Sequence, residues 1–220
     1  AFNGWLVKYR ELREKVIEAF RFMESAGLNW GYSGNISVRL PEEGLYLMTP
    51  SGLRKAQMRP EDLVVVDEQG NLVEGGRAPT SEYLMHLAVY RARSDVKAVV
   101  HAHPVYASVL AALRRRLEPV LDEITVYLGG AVEVADYGPP GSEELARNVV
   151  RALGDRCAVI LANHGVLTCG KDLDEALDAL VYLERAAKVY VITLLLGTPH
   201  PLPAEVLEFE KQLYLLRRGQ

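Results

Sequence analysis

The chain is poor in cysteine. Cys157 and Cys169 are the only two among 220 residues, and they stand far apart without C-x-x-C spacing. That excludes a small disulfide-stapled scaffold and leaves two reduced core residues. Also missing is any apolar run of the roughly 18 residues that a membrane span requires. Charges recur from Lys8 onward, so no signal-peptide pattern opens the sequence. The expectation is a cytoplasmic protein that does not engage a membrane. Surplus positive charge is lacking too: the net charge is −4 and the isoelectric point near 5.8. A general nucleic-acid binder neutralises phosphates with clustered Lys and Arg, so nucleic-acid partners are excluded. The one dense basic run, Arg114 to Arg116, follows an apolar helical pattern and reads as a solvated helix end. Neither G-x-G-x-x-G nor a Walker loop occurs, and no segment repeats.

What is present suits one domain over residues 1–220, with 49% hydrophobic and 25% charged residues. From Trp5 to Ala26, Leu6, Tyr9, Leu12, Val16, Phe20 and Met23 recur at helical spacing, and Gly27 ends that helix. Strands are expected at Ile36–Arg39, Leu45–Pro50, Leu63–Val66 and Leu72–Glu74. Pro79 to Glu82 opens a helix capped by Thr80 or Ser81, with Glu82 in its first turn. A strand leading to His103 follows, then a helix over Tyr106–Leu113 and strands at Ile124–Leu128 and Val132–Ala135. Ser142 caps a helix that Gly154 closes, and Cys157–Ala162 is a continuously apolar strand. Val166–Thr168 either continues that strand or turns it. Asp172 with Glu175 starts a long helix, Leu173–Leu196, and the prolines of residues 199–203 form a linker stiff enough to project a last helix, 204–218, from the core. The pattern predicts a single-domain α/β/α sandwich around a mixed, largely antiparallel sheet.

The segment from Lys97 to Pro104 runs apolar up to His101 and His103 and stops at a proline. Residues two apart on a strand share a face, with Cβ atoms roughly 7 Å apart, so both imidazoles can converge on one ion. His164 ends another apolar strand, and three histidines suit a catalytic zinc with an open fourth position. His200, among prolines, is read as a bystander. Glu82 is the acid that would accompany the metal. Gly34-Asn35, Ser51-Gly52 and Thr80-Ser81 are three small polar sets that could cradle an anion through amides, hydroxyls and a helix dipole.

In this order and spacing, Gly34–Ser37, Thr49–Gly52, Thr80–Glu82, His101–His103 and Asn163–Gly165 resemble the class II aldolase and adducin family. The nearest likeness is to members that cleave L-fuculose 1-phosphate. The resemblance implies an α/β/α homotetramer that binds Zn²⁺ (or Mn²⁺, Co²⁺ or Fe²⁺) on His101, His103 and His164, with Glu82 as ligand and base. It implies that Gly34, Asn35, Ser51, Gly52, Thr80 and Ser81 hold the phosphate of a small phosphorylated sugar. The reaction implied is reversible cleavage of a ketose 1-phosphate to dihydroxyacetone phosphate and a small aldehyde such as L-lactaldehyde. Tyr214 matches a tyrosine that such enzymes bring to a neighbouring subunit's site. The chain departs from the bacterial pattern in having Leu121-Asp122-Glu123, with Tyr127 beyond, where a proton-donating tyrosine is expected. The donor to the aldehyde oxygen is therefore open among Tyr214, Tyr127, Asp122 and Glu123. Sugar-phosphate 4-epimerases and methylthioribulose-1-phosphate dehydratases of the same family are the enzymatic alternatives, and an adducin-like assembly module is the non-enzymatic one.

Overall fold

Runs of β-branched and small apolar residues form the strands. In the computed structural model, which describes residues 9–219, these are β1 (Asn35–Arg39), β2 (Tyr46–Met48), β3 (Val64–Val66), β4 (Leu72–Glu74), β5 (Ala98–Ala102), β6 (Val134–Ala135), β7 (Ala158–Leu161) and β8 (Gly165–Gly170). They make one eight-stranded sheet in the order β4-β3-β2-β1-β5-β8-β7-β6. Among the described residues only β6 and β7 pair in parallel; the other pairings are antiparallel. The central strands are apolar on both faces because helices cover both. Ala98, Val100 and Ala102 of β5 enter one core, and Val99 enters the other.

The helices are α1 (Arg10–Ser25), α2 (Tyr83–Ala92), α3 (Val105–Leu113), α4 (Asp122–Leu128), α5 (Glu143–Leu153), α6 (Leu173–Leu196) and α7 (Ala204–Arg217). Met85, Leu87 and Val89 of α2 pack with Leu145, Val149 and Leu153 of α5 on one face. Side chains of α1, α3, α4 and α6, with Tyr214 of α7, fill the other. Each fully buried Val or Leu contributes about 1.5–3 kcal/mol over an exposed one, so both layers are needed to cover the sheet. This is the expected α/β/α sandwich. Local signals place several ends correctly: Ser142 accepts from Leu145 N at 3.1 Å, and Asp172 accepts from Glu175 N at 2.8 Å.

Four expectations need correction or completion. Residues Ile124–Leu128 are helical, not extended: Asp122 and Glu123 occupy the first turn of α4, and Gly129 closes it in the left-handed region. Ile124 and Leu128, four apart, share the buried face, so tertiary packing overrides their β-propensity. Glu82 is the residue before α2 rather than part of its first turn, and Thr80 Oγ accepts from Glu82 N at 3.3 Å. Val166–Thr168 belongs to a hairpin: residues 162–164 turn, with Asn163 at φ 57°, and β8 returns beside β7. The last helix does not project from the core but lies back on α4, where Lys211 Nζ donates to Gly129 O at 2.8 Å and Arg217 to Val126 O at 3.1 Å. Trp5 and Leu6 of the first predicted helix lie outside the described residues.

Two glycines let the site close up. A Cβ on Gly34 would stand 2.7 Å from Asn29 Nδ2 and 2.9 Å from the His101 carbonyl. On Gly165 it would stand 2.6 Å from Ala102 O and 2.7 Å from the His103 ring.

Candidate metal centre

His101 lies near the end of β5, His103 just beyond it, and His164 in the turn between β7 and β8. Because β8 pairs with β5 (Ala102 opposite Val166), the hairpin turn delivers His164 to the rim where His101 and His103 emerge. Their ligand atoms all lie within 4.8 Å of one another. His101 is completely buried, and its Nδ1–H donates to the Val166 carbonyl at 2.8 Å, which leaves Nε2 as a lone pair. His103 Nε2 is 3.1 Å from that atom, and the His103 amide is held by Asn29 Oδ1 at 3.1 Å. Glu82 completes the cluster: Oε2 is 3.1 Å from His101 Nε2 and Oε1 is 3.1 Å from His164 Nε2.

Such a set of converging acceptors fits a divalent cation. Glu82 Oε1 and His164 Nδ1 are buried without any hydrogen-bond partner, and the His101 contact to a carbonyl is the outer support that metal-binding imidazoles use. Electrostatics agrees. Burial opposes charge on Glu82, but in the metal-free protein His101 and His164, when their Nε2 atoms carry protons, overcome it and hold the carboxyl below its ordinary range. Burial, reinforced by His101 and His164, pushes His103 down to about 4, so its imidazole is neutral and ligand-ready at neutral pH. Zinc, with three histidines and an open position, is one ion this donor set accommodates.

These shifts predict the acid sensitivity of the metal-free protein. The folded state resists protonating His103, and also His86, which burial lowers to about 3, from an ordinary 6.5. The unfolded chain takes up those protons first, so stability should fall as pH drops from about 6.5 towards 4. Depression of Glu82 extends the loss to lower pH. Urea midpoints measured in chelator across this range check it: a flat profile would contradict the buried neutral imidazoles.

The three polar sets come together beside the cluster. Thr49 joins β1 by Thr49 N to Ile36 O at 3.1 Å and Ile36 N to Thr49 Oγ1 at 3.2 Å. Ser51 N to Ala78 O at 3.0 Å and Thr80 N to Thr49 O at 2.9 Å then tie the loop of Ser51-Gly52 to that of Thr80-Ser81. Ser51, Gly52 and Ser81 are exposed, whereas Gly34, Asn35 and Thr80 are buried. The Asn35 amide is engaged at both ends, donating to Glu82 Oε2 at 3.0 Å and accepting from His86.

The candidate proton donors are not brought to this rim within the chain. Tyr214 is 2% exposed, and its hydroxyl donates to Asp155 O at 2.9 Å and lies 3.2 Å from Cys157 Sγ. That is the opposite end of β7 from His164. Burial, then Cys157, pushes the Tyr214 hydroxyl above its ordinary range. Tyr127 stacks on Tyr182 at 4.0 Å beneath Arg217, in a pocket with Lys171 and Asp172 at the far end of β8. Asp122 and Glu123 open the same helix, with Asp122 against Glu210. His200 is exposed in the linker.

Three residues not singled out in the sequence belong to the site's frame. Asn29 braces both Ser33 O, at 2.6 Å, and the His103 amide. Lys55 is buried, its ammonium donating to Tyr32 O at 3.1 Å and Leu53 O at 3.2 Å, and so joins the two loops that carry Gly34 and Gly52. Burial lowers its pKa while Glu82 opposes that shift. His86 is wholly buried behind Asn35. Its sequence signal is the spacing Glu82, His86, Tyr90, one helical face at four-residue steps.

Comparison with known proteins accords with this geometry. The profile of the Class II Aldolase and Adducin N-terminal domain matches residues 14–191. The chain belongs to the class II aldolase and adducin family. A 5-deoxy-D-ribulose 1-phosphate aldolase of Bacillus thuringiensis is 37% identical over 196 residues, 89% of this chain and 92% of that protein. A 5-methylthioribulose-1-phosphate/5-deoxyribulose-1-phosphate aldolase of Rhodospirillum rubrum is 38% identical over 197 residues, 90% and 88% of the two chains. Among solved structures, an L-fuculose 1-phosphate aldolase superposes with a TM-score of 0.88 at 39% identity, covering 92% of this chain and 95% of the other. The chain is thus an enzyme of a metal-dependent lyase family that acts on small phosphorylated sugars. No helix among the described residues is long and apolar enough to cross a membrane.

Proposed function

We propose that this chain is an aldolase that reversibly splits a ketose 1-phosphate between C3 and C4 into dihydroxyacetone phosphate and a short aldehyde. The observation that carries the reading is the convergence of His101, His103, His164 and Glu82 at the rim where the polar loops meet. His101, His103 and His164 would hold a divalent ion, with zinc as the first choice, and Glu82 stands beside them. When bound, the ion supplies Lewis-acid stabilisation of the negative charge that develops on the ketose oxygens, an effect of several kcal/mol.

The chain's own groups do the rest. Ser51, Gly52, Thr80 and Ser81 fix the phosphate away from the broken bond, so their contribution is orientation of C3 towards Glu82. In condensation Glu82 removes the C3 proton, and Oε1, which accepts no hydrogen bond, is the oxygen available to take it. The same residue returns the proton after cleavage.

The relatives named above support 5-deoxypentulose and 6-deoxyhexulose 1-phosphates as the substrate class. Cleavage of 5-deoxyribulose 1-phosphate would give acetaldehyde, and of L-fuculose 1-phosphate L-lactaldehyde. Metal-replete protein should release dihydroxyacetone phosphate from 5-deoxyribulose, methylthioribulose and L-fuculose 1-phosphates, ranked by turnover. Loss of water from methylthioribulose 1-phosphate with no dihydroxyacetone phosphate from any member would replace the aldolase by a dehydratase.

A further inference from the structure

Behind Glu82 runs a buried polar chain that the mechanism above does not use. Glu82, His86 and Tyr90 recur every four residues along one face of α2 and the residue preceding it, and Asn35 and Ser37 lie two apart on one face of β1. The two faces meet. Tyr90 OH is 2.9 Å from Ser37 Oγ, Ser37 Oγ is 2.6 Å from His86 Nδ1, His86 Nε2 contacts Asn35 Oδ1, and Asn35 Nδ2 is 3.0 Å from Glu82 Oε2. His86 is 0% exposed, Ser37 1%, Tyr90 2% and Asn35 3%, so water cannot substitute for a lost partner.

The carboxylate end fixes every donor along this line. Glu82 accepts only, so Asn35 must turn its NH₂ towards Glu82 and its oxygen towards His86. His86 must then carry its proton on Nε2, and its Nδ1 must accept from Ser37, whose oxygen accepts from Tyr90. A flipped Asn35 would set an oxygen against the carboxylate and an NH₂ against an N–H. An asparagine cannot hand on a proton in this arrangement, so the line is no proton wire; it is an orienting device whose bonds polarise one another.

We propose that His86 is a positioning residue: its Nε2–H fixes the Asn35 amide, which anchors Glu82 Oε2 and leaves Oε1 as the oxygen that exchanges the proton. This rests on the aldolase reading for the role of Glu82, but not for the hydrogen-bond chain itself. It also gives the Asn35 side chain a duty towards Glu82 rather than towards the phosphate.

The test combines metal-free and loaded protein. In metal-free wild type, ¹⁵N NMR should show His86 as the neutral Nε2–H tautomer and the Asn35 side-chain NH₂ protected from exchange. His86→Leu should lose that protection while Tm and far-UV spectra report a folded chain. In the metal-loaded form kcat should fall on the order of 10- to 100-fold with KM for the ketose phosphate nearly constant. His86→Gln, whose amide can donate to Asn35 and accept from Ser37, should restore much of the turnover. Asn35→Ala combined with His86→Leu should be no worse than Asn35→Ala alone. If His86→Leu does not fold, Ser37→Ala serves, and it should weaken the Nε2–H tautomer and the Asn35 protection. An Nδ1–H tautomer in wild type, unchanged Asn35 protection in the variant, or additive losses in the double variant would overturn the proposal. Because the NMR arm needs neither metal nor substrate, it decides the role of His86 even if no ketose phosphate is cleaved.

Discussion

Replacing His103 by alanine should take the protein from one bound divalent ion per chain to well below stoichiometric, and abolish turnover, while the fold survives. The residue lies just past the end of β5, partly exposed, and among the described residues its ring contacts His101 Nε2 and bonds no backbone group. Its removal therefore takes away a proposed ligand and little packing. His164→Ala should behave alike, since the hairpin turn rests on β7 and β8 rather than on this ring. His101→Ala should lose the metal and stability together. That ring is wholly buried and satisfies the Val166 carbonyl, and an orphaned buried acceptor costs about 1–3 kcal/mol. Metal analysis by mass spectrometry after dialysis, beside thermal unfolding, separates these effects. Full metal content with wild-type turnover in any one variant would remove that histidine from the ligand set.

The convergence of the three candidate metal-binding histidines could be read from the sequence because its signal is local. A strand that is apolar to its last residues and then presents His-x-His states both where the strand stops and which way the rings point. Asn163-His164-Gly165 carries the same message through turn chemistry, with asparagine tolerating the positive φ and glycine admitting the His103 ring. The sheet was legible for a like reason: strands such as Val64–Val66 and Ala158–Leu161 are apolar without alternation, which only a doubly covered sheet permits.

What escaped the sequence depends on partners far along the chain. Ile124, Thr125 and Val126 favour strands in isolation, yet a helix puts Ile124 and Leu128 on one buried face. His86 looks like one polar residue on an amphipathic helix until β1 sets Asn35 and Ser37 against it. Lys55 would pass for a surface charge, and only the fold shows two loop carbonyls waiting for it. Tyr214 sits in a helix whose proline linker suggested projection, but Lys211 and Arg217 bind carbonyls of α4 and hold the helix down.

Glu82→Gln should leave phosphate binding close to wild type and slow exchange of the C3 proton of dihydroxyacetone phosphate by about 10²–10⁴-fold, the usual loss of a general base. The geometry makes the expectation specific. Asn35 Nδ2 requires an acceptor 3.0 Å away, so the glutamine oxygen must take the place of Oε2. Its NH₂ then occupies the place of Oε1, the oxygen left without a hydrogen bond, and faces His164 Nε2, which stands 3.1 Å from that position. An amide there can donate to the His164 lone pair but cannot take a proton from carbon. The same donation competes for a proposed metal ligand, so divalent-ion affinity should weaken as well, unlike a simple loss of the base. The proposed phosphate loops are bonded to one another through Thr49, Ser51, Ala78 and Thr80, without using Glu82 as an acceptor, and should keep their form. Exchange followed by proton NMR in D₂O, with inorganic phosphate binding and metal content measured on the same samples, resolves the three effects. Wild-type exchange in the variant would remove Glu82 from the mechanism, whereas loss of phosphate binding in step with exchange would make it a structural prop of the cradle.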